Sequence, residues 1–178
     1  GALFTSARWD PAVELDGRRV AIVGTGSTAV QIVSALVDRV AKLSLFQRTA
    51  QWIMPQANPA YSEAELAEFR RNPEMVDRMH AEMGQLFAAF ASGLVDASSP
   101  QMKLIEDACR ANLETSVADP ALREKLRPNY RAACKRLVLS PDFYQAIQQP
   151  NAELVTEGIE RIEPHGVRTR DGRLHELD

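Results

Sequence analysis

Three observations predict an α/β fold in which a three-layer, mainly parallel sheet domain carries a large helical insertion. The first is an apolar, β-branched run at residues 18–23 that stops at a glycine. The second is the helical spacing of apolar residues over 27–40, followed by another short apolar run at 43–46. The third is a long helically patterned block, after which short β-rich segments return. A strand, a helix and a strand in this order form a βαβ unit, which is the building block of parallel sheets.

The βαβ unit is predicted from the periodicity of each element. The run at 18–23 is apolar without alternation, which predicts a strand buried on both faces. From Ser27 to about Val40 the apolar residues recur at spacings of three and four and no proline interrupts them, which predicts an amphipathic helix. The second strand is expected at 43–46.

Start signals divide the block that follows into several helices. Ser62 and Glu65 form a capping box, and Pro73 suits the first turn of a helix. Asp119 and Ser140 are each predicted as an N-cap followed by proline, so that helices are expected at 120–126 and 141–147. Another helix is expected at 101–115. A stripe at helical spacing favours a core or domain contact over a ligand site, and it consists of Val76, Met79, Met83, Leu86, Phe90 and Leu94.

The end of the chain is predicted to return to strands. These are expected at 153–156, 159–162, 167–169 and 174–177, with Asp171 and Gly172 as the turn of a hairpin. The resulting organisation is a linker at 1–17, a βαβ core at 18–60, a helical insertion at 61–149 and return strands at 150–178. Because these few strands would form only a thin sheet, the chain is expected to be a piece of a longer protein.

Composition excludes several classes of protein. The 178 residues include 21 basic and 24 acidic side chains, a net charge of −3 that does not favour nucleic acid. No apolar run approaches the ~20 residues that span a bilayer. Cys109 and Cys134 form no CxxC pair and no zinc-ligand spacing, so neither a metal site nor a dithiol centre is predicted. Few cysteines and no signal peptide favour the cytoplasm. The three histidines form no constellation with Ser or Asp and are expected at the surface.

The loop after the first strand has the GxGxxA pattern of a dinucleotide-binding, Rossmann-like domain. Its residues are Gly24, Thr25, Gly26, Ser27, Thr28 and Ala29. In this context the first glycine permits the tight turn, the second lets the backbone approach a pyrophosphate, and the alanine keeps the helix close to the strand. The start of the helix would hold the pyrophosphate on its free N–H groups. The alternative is a glycine turn without a ligand.

The end of the second strand favours NADP(H) over NAD(H). An NAD site has an acidic residue about 20 residues after the loop, where it accepts from the ribose 2′-hydroxyl. Here the strand ends in Phe-Gln-Arg-Thr, and Arg48 stands in that region. A guanidinium can pair with a 2′-phosphate, whereas an aspartate would repel it. The alternative is a surface arginine at a strand end.

Three segments together resemble the NADPH-binding domain of flavin-dependent Baeyer–Villiger monooxygenases. Residues 1–10 are similar to the family fingerprint around its Trp, here Trp9. The second segment is the glycine loop up to Gln31, with Leu-Phe-Gln-Arg-Thr at 45–49 and Trp-x-x-Pro at 52–55. The third is Cys-Lys-Arg-Leu at 134–137, followed by Asp-Phe-Tyr at 142–144 and Pro-Asn-x-Glu-Leu-Val at 150–155. Aspartate after Trp9 leans toward relatives that act on aryl ketones. The chain departs from the fingerprint at one position, since Thr5 stands where the family has His.

The resemblance implies an activity, cofactors and site residues. In the family, NADPH reduces FAD, and the reduced flavin uses O2 to convert a ketone into an ester or lactone. The resemblance implies that Arg48, Thr49 and Lys135 hold the 2′-phosphate, that the glycine loop and Gln31 bind the rest of the dinucleotide, and that Arg136 is the active-site arginine. It also implies an FAD-binding domain in the same polypeptide, without which this chain is expected to be inactive.

Other functions stay open at this point. Because Thr5 replaces the fingerprint His, a related flavin monooxygenase that oxygenates nitrogen or sulfur is an open alternative. A dinucleotide-binding module without turnover is another alternative. Arg136 argues against it, because such a module does not need a cation directed at a flavin. A pyridine-nucleotide disulfide oxidoreductase is disfavoured because the chain has no CxxC.

Overall fold

A three-stranded parallel sheet organises the α/β part of the chain. Its strands lie at residues 19–23, 42–46 and 152–155, with 42–46 in the middle. The computed structural model describes residues 1–57, 59–96 and 98–178, with the backbone alone at 92 and 94. The strands are β1 (Arg19–Val23), β2 (Lys42–Phe46), β3 (Ile53–Met54), β4 (Val138–Leu139), β5 (Ala152–Val155), β6 (Ile159–Glu163), β7 (Gly166–Thr169) and β8 (Leu174–Glu176). The helices are α1 (Ser27–Leu36), α2 (Glu63–Arg71), α3 (Pro73–Val95), α4 (Pro100–Ser116), α5 (Pro120–Lys125) and α6 (Phe143–Ile147). The mixed α/β, mainly parallel prediction is confirmed.

Three layers stack around the central strand β2. Alternate residues of a strand point to opposite faces of its sheet. Leu43 and Leu45 are fully buried in the cluster that includes Val30 and Val33 of α1. Phe46, on the opposite face, is buried with Val167 of β7. The third layer is therefore the antiparallel sheet β6-β7-β8, whose last two strands form the hairpin predicted at Asp171 and Gly172.

The prediction that the first strand is buried on both faces is wrong for β1. Only Ile22 of β1 is buried, and the side chain of Val23 is 63% exposed. In the described part of the chain β1 pairs with β2 alone, and its other edge has no neighbouring strand, although Asp178 bonds to the backbone of Arg19 there. Val20 and Ala21 pack against the buried clusters on opposite faces of the sheet but are only partly buried, so the covering of β1 by the described residues is incomplete.

Helix α1 ends earlier than its periodicity predicts. The regular helix stops at Leu36, and the chain then turns through 37–40. Asn151 explains the turn, because its side-chain amide donates to the carbonyls of Val37 (2.8 Å) and Val40 (2.9 Å). Carbonyls left free at a helix end need such partners.

The capping predictions are confirmed in three places and wrong in one. Ser62 and Glu65 form the capping box, Pro73 opens α3, and Asp119 accepts from the Ala121 N–H at 2.9 Å. Ser140 is not the N-cap of α6, because the chain at 141–142 is not yet helical and the helix begins at Phe143. The Ser140 hydroxyl still accepts from the Phe143 N–H at 3.1 Å.

The predicted stripe lies on α3 and is largely exposed. Val76, Met79, Met83 and Leu86 are between 37% and 57% exposed, whereas Phe90 is half-buried against the cluster around Trp52. The side chain of Leu94 lies outside the described residues. Among the described residues, no helix combines the length and the apolarity that crossing a bilayer requires.

The expectation that all three histidines lie at the surface is wrong for His175. His80 and His165 are exposed, but His175 is 3% exposed and packs edge-on against Phe46. Its Nε2 lies 3.3 Å from the Thr169 hydroxyl. Burial lowers the pKa of His175, an effect that the Glu153 carboxylate 3.8 Å from Nδ1 opposes.

We predict that His175 makes stability depend on pH. In the unfolded chain His175 regains an ordinary pKa of about 6.5, so the unfolded state binds more protons below that pH. The free energy of unfolding should therefore fall as the pH drops below about 6.5, and His175→Gln should flatten this fall. Urea titrations of the full-length protein across pH 5 to 8 measure it, with exposed His165→Gln as the control. Equal pH profiles for the wild type and His175→Gln would contradict the prediction.

Candidate functional site

The glycine loop connects the carboxyl end of β1 to the start of α1. Gly24 has φ +107°, a conformation that side chains with a Cβ rarely adopt, so the turn requires glycine there. Gly26 is the N-cap of α1 and has extended backbone. A Cβ added at Gly26 would meet no atom within 4 Å. The backbone beside Gly26 is therefore accessible from outside.

Helix α1 starts without a side-chain cap. Gly26 has no side chain to accept from the first N–H groups, and no acidic residue lies in the first turn. These N–H groups and the positive end of the helix dipole can therefore receive an anion. Ser27 and Ala29 are half-buried there, and Ala29 packs against the core. Thr28 and Gln31 are exposed on the same helix.

Thr25 ties the glycine loop to the chain after β2. Its side chain is 8% exposed, and its hydroxyl donates to the carbonyl of Thr49 at 2.7 Å. The N–H of Gly24 also donates to the carbonyl of Phe46 at 2.9 Å. The loop and the segment at 47–49 therefore form one unit at the carboxyl edge of the sheet.

Arg48 follows β2 at this same edge. Val23, Phe46 and Val155 lie in register, so the three parallel strands end together. The Arg48 side chain is exposed and forms no ion pair or hydrogen bond with the residues that the structure describes. Its neighbour Gln47 is buried and donates to the carbonyl of Lys125 at 2.6 Å. No sequence motif assigns a role to Gln47, although a polar residue at the end of a buried strand is a signal that could have indicated one.

A short parallel ribbon brings the Lys-Arg pair to the segment after β2. Strands β3 and β4 are parallel, with Ile53 opposite Val138, and the Val138 N–H donates to the carbonyl of Trp52 at 3.2 Å. Because parallel strands begin at the same end, the residues leading into them lie side by side. Residues 49–52 and 135–137 therefore meet at one end of the ribbon.

Tyr130 holds these two segments together in what we call the Tyr130 clasp, formed by Tyr130, Gln51, Trp52 and Lys135. The Tyr130 hydroxyl donates to Gln51 Oε1 at 2.8 Å, and the Trp52 indole N–H donates to the carbonyl of Tyr130 at 2.7 Å. The Lys135 ammonium lies 4.5 Å from the centre of the Tyr130 ring. Burial raises the pKa of Tyr130, so its hydroxyl is a neutral donor. No sequence motif identifies Tyr130.

The Lys-Arg pair lies on a loop with unusual backbone. Lys135 and Arg136 are exposed, and the Arg136 guanidinium forms no hydrogen bond or ion pair with any described residue. Ala133, two residues before Lys135, has φ +63°, a left-handed conformation that favours glycine.

A cleft of about 990 Å³ runs along β1 and includes the front of the glycine loop. Gly24, Gly26, Ser27, Thr28 and Ala29 line it, opposite the N-terminal segment that carries Thr5 and Trp9. The residues expected to hold the 2′-phosphate do not line this cleft. The cleft therefore holds only part of the sequence-predicted residues, because Thr25, Gln31, Arg48, Thr49, Lys135 and Arg136 do not line it.

The two cysteines have different environments. Cys109 is buried on α4, where burial raises the pKa of its thiol to about 12, and it is a core residue. Cys134 is exposed. Within the described ranges, no three side chains of His, Cys, Asp or Glu are grouped closely enough to hold a metal ion.

We predict that Ala133→Gly stabilises the protein. A left-handed conformation costs a residue with a Cβ roughly 1–2 kcal/mol, and glycine costs roughly 0.5–1 kcal/mol in the unfolded state. The free energy of unfolding of the full-length protein should rise by up to about 1 kcal/mol, as measured by denaturant titration. The matched control is Ala81→Gly at an exposed position in the middle of α3, which should lower it by about 0.5–1 kcal/mol. A loss of stability in Ala133→Gly would contradict the backbone argument.

Comparison with known proteins identifies relatives over the whole chain. An uncharacterized monooxygenase of Mycobacterium tuberculosis is 46% identical over 180 residues, which cover all of this chain and 36% of that protein. A Baeyer–Villiger monooxygenase of Pseudomonas aeruginosa is 36% identical over 179 residues, again covering all of this chain and 34% of that protein. No family model matches.

A solved structure has the same fold. Cyclohexanone monooxygenase from Rhodococcus sp. Phi1, bound to NADP+, superimposes with a TM-score of 0.78 at 24% identity, over 97% of this chain and 39% of that one. The chain thus spans about a third of the length of the curated relatives it matches. By sequence, this chain is homologous to one segment of Baeyer–Villiger monooxygenases, and it has the fold of the corresponding segment of cyclohexanone monooxygenase.

Proposed function

We propose that this chain is the NADP(H)-binding domain of an FAD-dependent monooxygenase that inserts one oxygen atom of O2 into a ketone. One observation carries the proposal: an uncapped helix start and a cation-bearing segment lie at the same carboxyl edge of a parallel sheet. Ligands of α/β sheets bind at this edge. The βαβ core at 18–60 supplies both features, and the insertion at 61–149 and the strands at 150–178 complete the domain.

The glycine loop is proposed to hold the pyrophosphate. A dinucleotide pyrophosphate carries negative charge, which the free N–H groups at the start of α1 and the helix dipole stabilise. Gly26 permits the approach because the space beside it is open. Thr25 supports the loop through its bond to Thr49, while Ser27, Thr28 and Gln31 present polar groups around the helix start.

Arg48, Thr49 and Lys135 are proposed to hold the 2′-phosphate that distinguishes NADPH from NADH. Residues 46–49 contain no acid that would repel a phosphate. Arg48 has no protein partner within the described chain, so its guanidinium is available for a bidentate contact. Lys135 precedes β4, the other strand of the ribbon, and two cations suit a dianionic group.

Arg136 is proposed to supply a positive charge to the reaction centre, which this chain forms together with the rest of the protein. Bound FAD supplies the redox and oxygen chemistry, and this chain contributes binding, orientation and one permanent cation. Arginine stays protonated at any working pH, so Arg136 can stabilise negative charge at the flavin. The FAD-binding domain of the same polypeptide is proposed as the partner that covers the cleft along β1. A cytoplasmic location belongs to the same proposal, since both cysteines are free thiols.

The cofactor assignment predicts that Arg48→Ala in the full-length protein removes much of the preference for NADPH. A charged hydrogen bond is worth about 1.5–3 kcal/mol, so the ratio of kcat/KM for NADPH to that for NADH should fall roughly 10- to 100-fold. Steady-state oxidation of both cofactors measures this ratio. The matched control is Arg78→Ala on the exposed helix α3, which should leave the ratio unchanged. A wild type that prefers NADH would reject the assignment.

The type of oxygenation is tested by supplying the full-length protein with different classes of substrate. The full-length protein, loaded with FAD and supplied with NADPH, should convert a ketone into an ester or lactone detectable by mass spectrometry. Parallel reactions with an amine and a sulfide test the alternative that Thr5 raises. Oxygenation of the amine or sulfide alone would replace the ketone proposal, whereas NADPH oxidation that yields only peroxide would indicate a protein uncoupled at Thr5.

A further inference from the structure

Tyr130 lies between the two segments proposed to hold the 2′-phosphate. It contacts the segment after Arg48 through Gln51 and Trp52, and it contacts Lys135 through its ring. The sequence motifs at 45–49 and 134–137 do not include Tyr130, so they do not predict this contact.

We infer that Tyr130 is a positioning residue that sets the preference for NADPH, by holding the Lys135 ammonium against its ring beside the segment that carries Arg48 and Thr49. This inference rests on the proposed function, since it assigns the 2′-phosphate to Lys135.

An aromatic ring holds a cation without neutralising it. A carboxylate paired with Lys135 would compete with an incoming phosphate, because both anions use the same three donors. Lys135 has no carboxylate partner within the described residues, and its ammonium rests on the Tyr130 ring instead. A cation–π contact restricts a flexible side chain while its N–H donors stay free. The ring therefore reduces the conformational entropy that Lys135 loses when phosphate binds.

The ring is itself held on both sides. The Tyr130 hydroxyl donates to Gln51, and its carbonyl accepts from the indole N–H of Trp52. Trp52 is 5% exposed and packs on α4, where the Arg110 guanidinium lies 5.1 Å from the centre of the indole ring. The position of Lys135 is thus fixed relative to the buried cluster under Trp52, and not by its loop alone.

The backbone anchor survives replacement of the side chain. The bond from Trp52 ends on the Tyr130 carbonyl, which every substitution retains. Tyr130→Leu removes the ring and the hydroxyl, whereas Tyr130→Phe removes only the hydroxyl. The two variants therefore separate the ring contact with Lys135 from the bond to Gln51.

The test uses the full-length protein and compares KM for NADPH with KM for NADH. Tyr130→Leu should raise KM for NADPH about two- to fivefold relative to KM for NADH, the range expected of an exposed cation–π contact. Tyr130→Phe should keep most of the wild-type ratio. In a Lys135→Ala background, Tyr130→Leu should change the ratio no further. Tyr61→Leu, at an exposed tyrosine before α2, is the control and should leave the ratio unchanged.

The outcomes separate this inference from the proposed function. If Lys135→Ala lowers the NADPH preference and Tyr130→Leu does not, the inference is overturned and the proposed function stands. Equal increases in KM for both cofactors, or additive effects of Tyr130→Leu and Lys135→Ala, would mean a general structural role and would also overturn it. If neither Arg48→Ala nor Lys135→Ala changes the preference, both the inference and the cofactor assignment fail.

Discussion

The site depends on the two-residue pairing of β3 with β4. The helices α2 to α5 lie in the chain between Thr49 and Lys135, and closing so long a loop costs conformational entropy. The ribbon offsets this cost together with bonds from the helical block, in which the Asn112 amide donates to the carbonyl of Ile53 at 3.2 Å and Glu106 accepts from the Ala132 N–H at 3.0 Å. Without these contacts Lys135 would have no fixed relation to the sheet.

The central strand β2 fixes the other half of the site. Its residues from Leu43 to Phe46 are buried between α1 and the antiparallel sheet, so the point at which the chain leaves the sheet is determined by packing on both faces. Gln47 extends this constraint by one residue through its bond to the carbonyl of Lys125. Arg48 is consequently the first residue after β2 that is free to face solvent. A rigid strand thus presents a flexible cation at a defined position.

The sequence was sufficient where one local pattern dictates the result. The glycine loop, the βαβ unit and the caps at Ser62 and Asp119 each depend on neighbours within a few residues, and all are present. The ribbon could not be predicted, because two-residue strands have no periodicity and their pairing is set by tertiary contacts. Tyr130 was missed for the same reason, since its partners Gln51 and Trp52 are distant in the chain. The burial of β1 was mispredicted because apolarity does not reveal whether the covering residues belong to the same segment.

The division of the site between ribbon and cleft matches the chemistry of the proposed ligand. NADPH carries its 2′-phosphate at the adenosine end, its pyrophosphate in the middle and its reactive nicotinamide ring at the other end. Of the proposed 2′-phosphate residues, Lys135 lies against the Tyr130 ring in the Tyr130 clasp, and the carbonyl of Thr49 accepts from Thr25 of the glycine loop. Beyond the loop, the cleft is bounded by the edge of β1 that faces away from β2 and by the segment carrying Thr5. The proposed phosphate-binding residues therefore all lie within this chain, while the reactive end would face the cleft along β1, which we propose that the FAD-binding domain covers.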